Sequence, residues 1–134
     1  MEKSKIVCMI HSAFNHPYVN LDHSEEWIRQ LTPKAFSYYL PAYLKLIIDH
    51  YYDADALTDT VISMLTPPLT NGLPRKTWID KNLNHFDIKQ KEIIALALQY
   101  IYKHHSDQNY YHALIVYWNN FLGDKKRDNS EIYA

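Results

Sequence analysis

The stretch of sequence that decides the fold is residues 32–51, TPKAFSYYLPAYLKLIIDHY. Thr32 followed by Pro33 is typical of a helix start, because the hydroxyl accepts a free backbone amide hydrogen and proline at the first helical position loses no bond. Apolar side chains then recur at helical spacing over nearly twenty residues. Pro41 lies inside this pattern and has no amide hydrogen for the carbonyl of Ser37. We therefore predict a long helix that is bent or broken at Pro41.

Apolar spacing predicts further helices on both sides of this one. The first has a stripe of Ile6, Val7, Ile10, Ala13 and Phe14 and ends before Pro17. A short second helix begins at Ser24, and a later one begins at Asp55 as its cap. Residues 66–77 form a loop with a turn at Asn71–Gly72, followed by a short extended piece around Trp78 and Ile79.

The last two helices have their own start signals. Asp87 with Gln90 three residues later forms a capping box, and the apolar residues that follow surround most of the helix. Ser106 is a candidate cap for the final helix, which is expected to end at Gly123. We predict an all-α protein with one compact domain of five to six helices over residues 1–123, and a polar tail at residues 124–134.

Composition and charge exclude several functions. With 134 residues, of which 47% are hydrophobic, the chain has enough apolar material for one core. Fourteen basic against fifteen acidic residues leave no basic excess for nucleic-acid binding. Two glycines cannot form a phosphate-binding loop, and a single cysteine excludes multi-cysteine metal sites. The absence of a signal peptide or spanning segment predicts a cytoplasmic protein without a membrane partner, and the charge balance predicts no nucleic-acid partner.

Tyrosine and histidine are the unusual components, with twelve and eight residues respectively. Tyr38, Tyr39 and Tyr43 flank Pro41 and are candidate binding residues together with it, because tyrosine gives a large contact area at a protein interface. The alternative is that these tyrosines cover the edge of the core with their hydroxyls in water. Asp49, His50 and Asp53 lie within about one helical turn and are weak candidates for metal ligands, without a matching ligand pair elsewhere. We predict no cofactor.

Two other groups have ordinary explanations. Cys8 lies beside the apolar stripe of the first helix, with His11 three residues later, and we predict a buried and inert thiol. Basic residues surround Trp78, but acidic residues are interleaved with them and indicate a solvated surface of mixed charge: Arg75, Lys76, Lys81, Lys89 and Lys91 against Asp80, Asp87 and Glu92.

Residues 31–44, LTPKAFSYYLPAYL, resemble the signature of a family of small uncharacterised bacterial proteins with a Tyr-Tyr-Leu-Pro-Ala-Tyr motif. Ala13–Phe14, residues 86–100 and the Ala-Leu-x-x-Tyr-Trp segment at residues 113–118 are similar to other parts of that family. The resemblance covers residues 9 to about 120. It implies an all-α fold and no known activity or catalytic residue.

Two functions fit these observations. The first is a non-enzymatic module that binds another protein through an aromatic helical surface, such as an antitoxin or immunity protein. The second is a small-molecule or metal-dependent enzyme with its site near the Pro41 bend. The absence of a convincing reactive group of residues favours the first.

Overall fold

The computed structural model describes residues 2–14 and 28–123. These residues form six α-helices, a small antiparallel hairpin and a final 3-10 turn. The elements are α1 (Lys3–Ala13), α2 (Pro33–Asp49), α3 (Asp55–Leu65), β1 (Leu69–Thr70), β2 (Leu73–Pro74), α4 (Lys76–Asn82), α5 (Ile88–His105), α6 (Gln108–Val116) and the 3-10 turn Trp118–Phe121. The prediction of an all-α fold is confirmed. The short helix predicted from Ser24 and the tail at 124–134 lie outside the described residues, except for the turn around Ile28.

Helix α2 begins as predicted, since the Thr32 side chain accepts the backbone N–H of Ala35 at 3.1 Å. The helix continues through Pro41 and is not broken there. An internal proline costs about 3 kcal/mol. Pro41 and its neighbours Leu40 and Leu44 are all buried, and burying each leucine contributes about 1.5–3 kcal/mol. Packing therefore offsets the missing backbone bond.

Helix α5 is the central helix of the fold. Its capping box is present, with the Gln90 N–H bonded to Asp87 at 2.7 Å and the Asp87 N–H bonded to the Gln90 side chain at 3.0 Å. Eight of the nine residues from Ile93 to Ile101 are buried. The helix contacts α1, α6 and the 3-10 turn. An apolar surface around most of the circumference thus places α5 in the middle, as the sequence predicts.

Of three predicted features in the middle of the chain, one is confirmed and two are changed. Asp55 is the first residue of α3 and not its cap, which is Ala54 without a side-chain bond. The turn at Asn71–Gly72 is confirmed, since both residues have a positive φ, as a type I′ hairpin turn requires. The extended piece around Trp78 and Ile79 is wrong, because both residues lie in α4 and pack against the core. The free energy gained from this packing outweighs the weak local preference for an extended chain.

The last helix also differs at both ends from the prediction. Ser106 has a φ of 53° and ends α5, whereas the Asp107 side chain caps α6 by accepting the N–H groups of Asn109 and Tyr110. Helix α6 ends at Val116, and a 3-10 turn follows. Gly123 is therefore not a helix terminator, and its φ is not positive.

Two long-range hydrogen bonds fix α6 and the 3-10 turn onto α3. The Tyr110 hydroxyl donates to the carbonyl of Thr58 at 2.9 Å, and the Trp118 indole N–H donates to the carbonyl of Leu65 at 2.7 Å. Both aromatic side chains are fully buried. These contacts bring the turn between α2 and α3 close to the junction between α5 and α6, where the candidate site lies.

Candidate functional site

The predicted tyrosine surface around Pro41 is only partly accessible. Tyr38 is 51% exposed and Tyr39 is half-buried, whereas Pro41 and Tyr43 lie in the core. The rings of Tyr38 and Tyr39 are in edge-to-face contact at 5.1 Å, and Tyr39 lies 6.4 Å from Tyr43. Burial, together with the nearby Tyr39, raises the pKa of Tyr43. Pro41 and Tyr43 are thus covered, and only Tyr38 and part of Tyr39 are able to contact another molecule.

The three weak metal candidates do not converge. Asp49 accepts an ion pair from Lys3 at 3.2 Å on one carboxylate oxygen and from Lys45 at 3.1 Å on the other. Burial raises its pKa, but the two lysines outweigh this effect and hold the pKa below its ordinary value. His50 and Asp53 are exposed. Within residues 2–14 and 28–123, no group of three His, Cys, Asp or Glu side chains is arranged to hold a metal ion.

An aromatic cluster of Tyr51, Tyr52 and His105 forms where the end of α2 meets the end of α5. The rings of Tyr51 and His105 stack in parallel, with centroids 3.8 Å apart and an interplanar angle of 2°. The Tyr52 ring is perpendicular to both, 5.3 Å from Tyr51 and 5.5 Å from His105. Perpendicular rings at these separations are in edge-to-face contact, a favourable arrangement for aromatic pairs.

The polar side of the cluster ties two turns together. The Tyr51 hydroxyl donates to Asp107 at 2.7 Å, while the other oxygen of Asp107 caps α6. Burial is the main cause that raises the pKa of Tyr51, and the bond to Asp107 and the charge of Asp59 act in the same direction. One carboxylate thus holds both the start of α6 and the turn after α2.

His105 is the most unusual member of the cluster. Its Nδ1 atom is buried and has no hydrogen-bond partner among the protein atoms. Burial lowers the pKa of His105, the neighbouring His104 lowers it further, and Asp107 acts in the opposite direction. The neutral ring is therefore favoured at neutral pH, which suits a ring stacked against tyrosine.

Tyr52 combines high exposure with contacts to two neighbouring rings. Its side chain is 82% exposed. Because its centroid is nearly equidistant from two stacked rings, Tyr52 lies beside the stack, and the edges of Tyr51 and His105 meet one face of the Tyr52 ring. The opposite face of Tyr52 is directed away from the cluster. This arrangement presents a flat aromatic face to solvent while the ring keeps contact with two neighbouring rings.

The surroundings of Tyr52 are acidic. Residues 46–74 contain four aspartates and no lysine or arginine. Asp49 is neutralised by its two lysines, but Asp53, Asp55 and Asp59 are exposed and form none of the ion pairs in the described residues. Asp107 adds a further carboxylate below Tyr51. We call Tyr52, Asp53, Asp55 and Asp59 the Tyr52 surface.

A groove of about 360 Å³ lies next to this surface between α3 and α6. Its lining includes Asp59, Ser63 and His112, the residue types of a hydrolase triad. However, the Ser63 hydroxyl donates to the carbonyl of Thr60 at 2.8 Å within its own helix. No hydrogen bond joins His112 to Ser63 or Asp59 in this part of the described chain. The Ser63 hydroxyl is thus bonded within its own helix and not to a base.

The prediction for Cys8 is wrong, because its side chain is exposed. Helix α1 buries Ile6 and Ile10, and Cys8 lies two residues from each. Positions two apart on a helix differ by about 200° and point to opposite sides. His11 is also exposed. The sequence pattern identified the buried face of α1 correctly, but it did not show whether Cys8 at the side of this face is buried.

Two of the basic residues near Trp78, Lys76 and Lys91, form local contacts. Lys76 pairs with Asp80 at 3.3 Å, one helical turn away. The Lys91 ammonium donates to the Tyr117 hydroxyl at 2.8 Å and lies 5.2 Å from the centre of the Phe121 ring. Lys91 thus fastens the 3-10 turn to α5.

The sequence does not show that Tyr51, Tyr52 and His105 meet. They lie about fifty residues apart in the chain. The only signal for this surface in the sequence is the segment 46–74, which contains four aspartates and no lysine or arginine.

The fold and the site define an all-α domain with an exposed aromatic and acidic surface at one end. The chain belongs to a family of unknown function, DUF6714, whose family model matches residues 3–122. This match covers nearly all of the described residues. No curated protein and no solved structure is similar enough to the sequence to match it. No helix among the described residues is long and apolar enough to cross a membrane.

Proposed function

We infer that this protein is a non-enzymatic module that binds another protein through the Tyr52 surface. The observation that carries the proposal is the Tyr52 ring, which is 82% exposed and yet held in contact with Tyr51 and His105. Soluble proteins expose single apolar groups without consequence. A tyrosine that is both exposed and held in position is better suited to binding, because less side-chain entropy is lost when a partner covers it.

The Tyr52 surface is better suited to this role than the residues around Pro41. Tyr38 is less exposed than Tyr52, and two of the four candidate binding residues around Pro41, Pro41 itself and Tyr43, are buried. Interface anchors need a side chain that a partner is able to bury, and tyrosine is enriched among them. Tyr38 remains the natural comparison, since it is an exposed tyrosine in edge-to-face contact with a neighbouring tyrosine.

A site for metal or small-molecule catalysis near Pro41 receives no support from the contacts there. Both carboxylate oxygens of Asp49 are used by lysines, and Pro41 lies in the core. A role as an antitoxin or immunity protein in the bacterial cytoplasm remains a prediction of the sequence. Such small proteins act by covering a surface of their partner, which agrees with the proposed binding mode.

The test is affinity capture of the tagged chain from its own host, with Tyr52→Ala and Tyr38→Ala as matched variants. Both tyrosines are exposed, so both variants are expected to fold as the wild type does, and circular dichroism checks this. A stoichiometric protein that is retained by Tyr38→Ala and lost with Tyr52→Ala supports the proposal. Retention by both variants, loss only with Tyr38→Ala, or the absence of any partner would overturn it.

A further inference from the structure

The free face of Tyr52 has the geometry of a cation-binding site. One face of the ring meets the edges of Tyr51 and His105, so only the other face is open to a ligand. The face of an aromatic ring carries negative charge density from its π electrons and attracts ammonium and guanidinium groups within about 6 Å. Neither cation is supplied by the segment that carries Tyr52, because residues 46–74 contain no lysine or arginine.

The charges beside the ring favour the same ligand. Asp53 follows Tyr52 directly in the chain, and Asp55 begins the next helix. Both are exposed, and neither forms an ion pair with a described residue. Lys103 in the last turn of α5 is two residues before His105, and therefore lies about 200° around the helix from the ring that contacts Tyr52. Among the described residues, the charged side chains that adjoin Tyr52 in the chain are thus carboxylates.

We propose that the partner places a lysine or arginine side chain on the free face of Tyr52, with its positive charge also facing Asp53 and Asp55. This inference rests on the proposed protein-binding function and names the chemistry of the partner. An arginine is the better fit, since its planar guanidinium stacks on an aromatic face while its N–H groups bond to carboxylates. An anionic partner, such as a phosphate backbone, is disfavoured by the same aspartates.

The geometry also explains why the two neighbouring rings matter. An isolated exposed tyrosine samples several rotamers, and a cation that binds its face must first fix the ring. In this protein the contacts with Tyr51 and His105 favour one position of the ring. Tyr51 is in turn fixed by its bond to Asp107 at 2.7 Å. The site is therefore already arranged before the partner binds.

The experiment is an NMR titration of the full chain with an acetylated and amidated tetra-arginine peptide. A tetra-citrulline peptide is the control, because citrulline keeps the planar shape of arginine and removes its charge. We expect tetra-arginine to shift the resonances of residues 51–55, and tetra-citrulline to leave them unchanged. Equal shifts with both peptides, or shifts confined to other regions, would overturn the proposal.

Variants separate the aromatic face from general charge attraction. Tyr52→Leu removes the π electrons and keeps an apolar side chain, and is expected to weaken tetra-arginine binding about two- to fivefold, the range for an exposed cation–π contact. Tyr52→Phe keeps the face and is expected to bind nearly as the wild type does. Tyr38→Leu is the matched control and is expected to have no effect. Unchanged binding by Tyr52→Leu would refute the role of the ring.

The two proposals fail in different ways. If Tyr52→Ala loses a captured protein but tetra-arginine binds wild type and Tyr52→Leu equally, the protein-binding function stands and the cationic contact is refuted. If tetra-arginine binding depends on Tyr52 but no protein is captured, the cation site stands and the protein-binding function is refuted.

Discussion

Thr58 carries a buried hydroxyl without a protein hydrogen-bond partner, and we expect Thr58→Val to stabilise the fold. The residue is 3% exposed, and its Oγ1 atom has no partner among the protein atoms. Burying such a hydroxyl costs about 1–3 kcal/mol. Valine has nearly the same shape and a similar helix propensity, so the substitution removes this cost without leaving a cavity. We expect the free energy of unfolding to rise by about 1 kcal/mol.

For a chain of this length, a gain of about 1 kcal/mol corresponds to a rise in Tm of roughly 3–4 °C. The assay is urea denaturation followed by far-UV circular dichroism, with thermal unfolding as a second measurement. The bond from the Tyr110 hydroxyl to the backbone carbonyl of Thr58 is not affected by the substitution.

Thr60 on the same helix provides a matched control. It is also 3% exposed, but its Oγ1 atom accepts a hydrogen bond from Arg29 at 3.3 Å. Thr60→Val removes this acceptor and is expected to lower the free energy of unfolding by about 0.5–1 kcal/mol. The two valine substitutions thus have opposite expected signs. A loss of stability in Thr58→Val equal to that in Thr60→Val would refute the reasoning.

Three further predictions concern the hydrogen bonds and charges around the site. Tyr110→Phe removes the buried bond to Thr58 and is expected to cost about 1–2 kcal/mol in urea denaturation; a change below about 0.3 kcal/mol would contradict this. Burial, together with His104, lowers the pKa of His105 in the folded chain. Below about pH 6.5 the unfolded chain therefore binds more protons than the folded chain does, and the wild type loses stability as the pH falls through this region. His105→Phe keeps an aromatic ring that cannot be protonated, and its Tm is expected to fall less than that of the wild type between about pH 7 and pH 5; equal falls would count against a neutral His105. Burial raises the pKa of Asp49, but Lys45 and Lys3 outweigh it, so the pKa is lower in the folded chain than in the unfolded chain. The contribution of the Asp49 charge to the free energy of unfolding is therefore fully present above the unfolded pKa of about 3.9 and is lost as the pH falls through the lower folded pKa. Asp49→Asn is therefore expected to cost about 0.5 kcal/mol at neutral pH, allowing for the exposure of both lysines, and nothing near pH 2; a cost that does not depend on pH would show that the charge is not responsible.

Several elements of this fold are determined within a few consecutive residues. The Thr32–Pro33 start, the Asp87–Gln90 capping box and the Asn71–Gly72 turn were all predicted from the sequence and are all present. Each depends on bonds or backbone angles between residues no more than three apart. Such interactions form in the same way whatever the rest of the chain does, and they are therefore readable from the sequence.

Other features depend on the competition between local preference and packing. Ser106 and Asp107 are both acceptable caps, and Asp107 caps α6 while also accepting the Tyr51 hydroxyl from a distant turn. Trp78 and Ile79 lie in a helix because they pack on the core. Pro41 stays inside a continuous helix for a similar reason. At each of these positions the local sequence is compatible with more than one conformation, and the one that packs best on the rest of the protein is formed.

The sequence by itself determined an all-α domain with α5 at its centre, because the periodicity of apolar residues states which helix faces must be buried. It also showed an acidic run after α2 without lysine or arginine. Only the tertiary structure decided that Tyr52 lies against Tyr51 and His105 while Tyr43 is buried and Cys8 is exposed. The reason is physical: the contact between Tyr52 and His105 depends on how the ends of two helices far apart in the chain pack, and no local pattern encodes that distance.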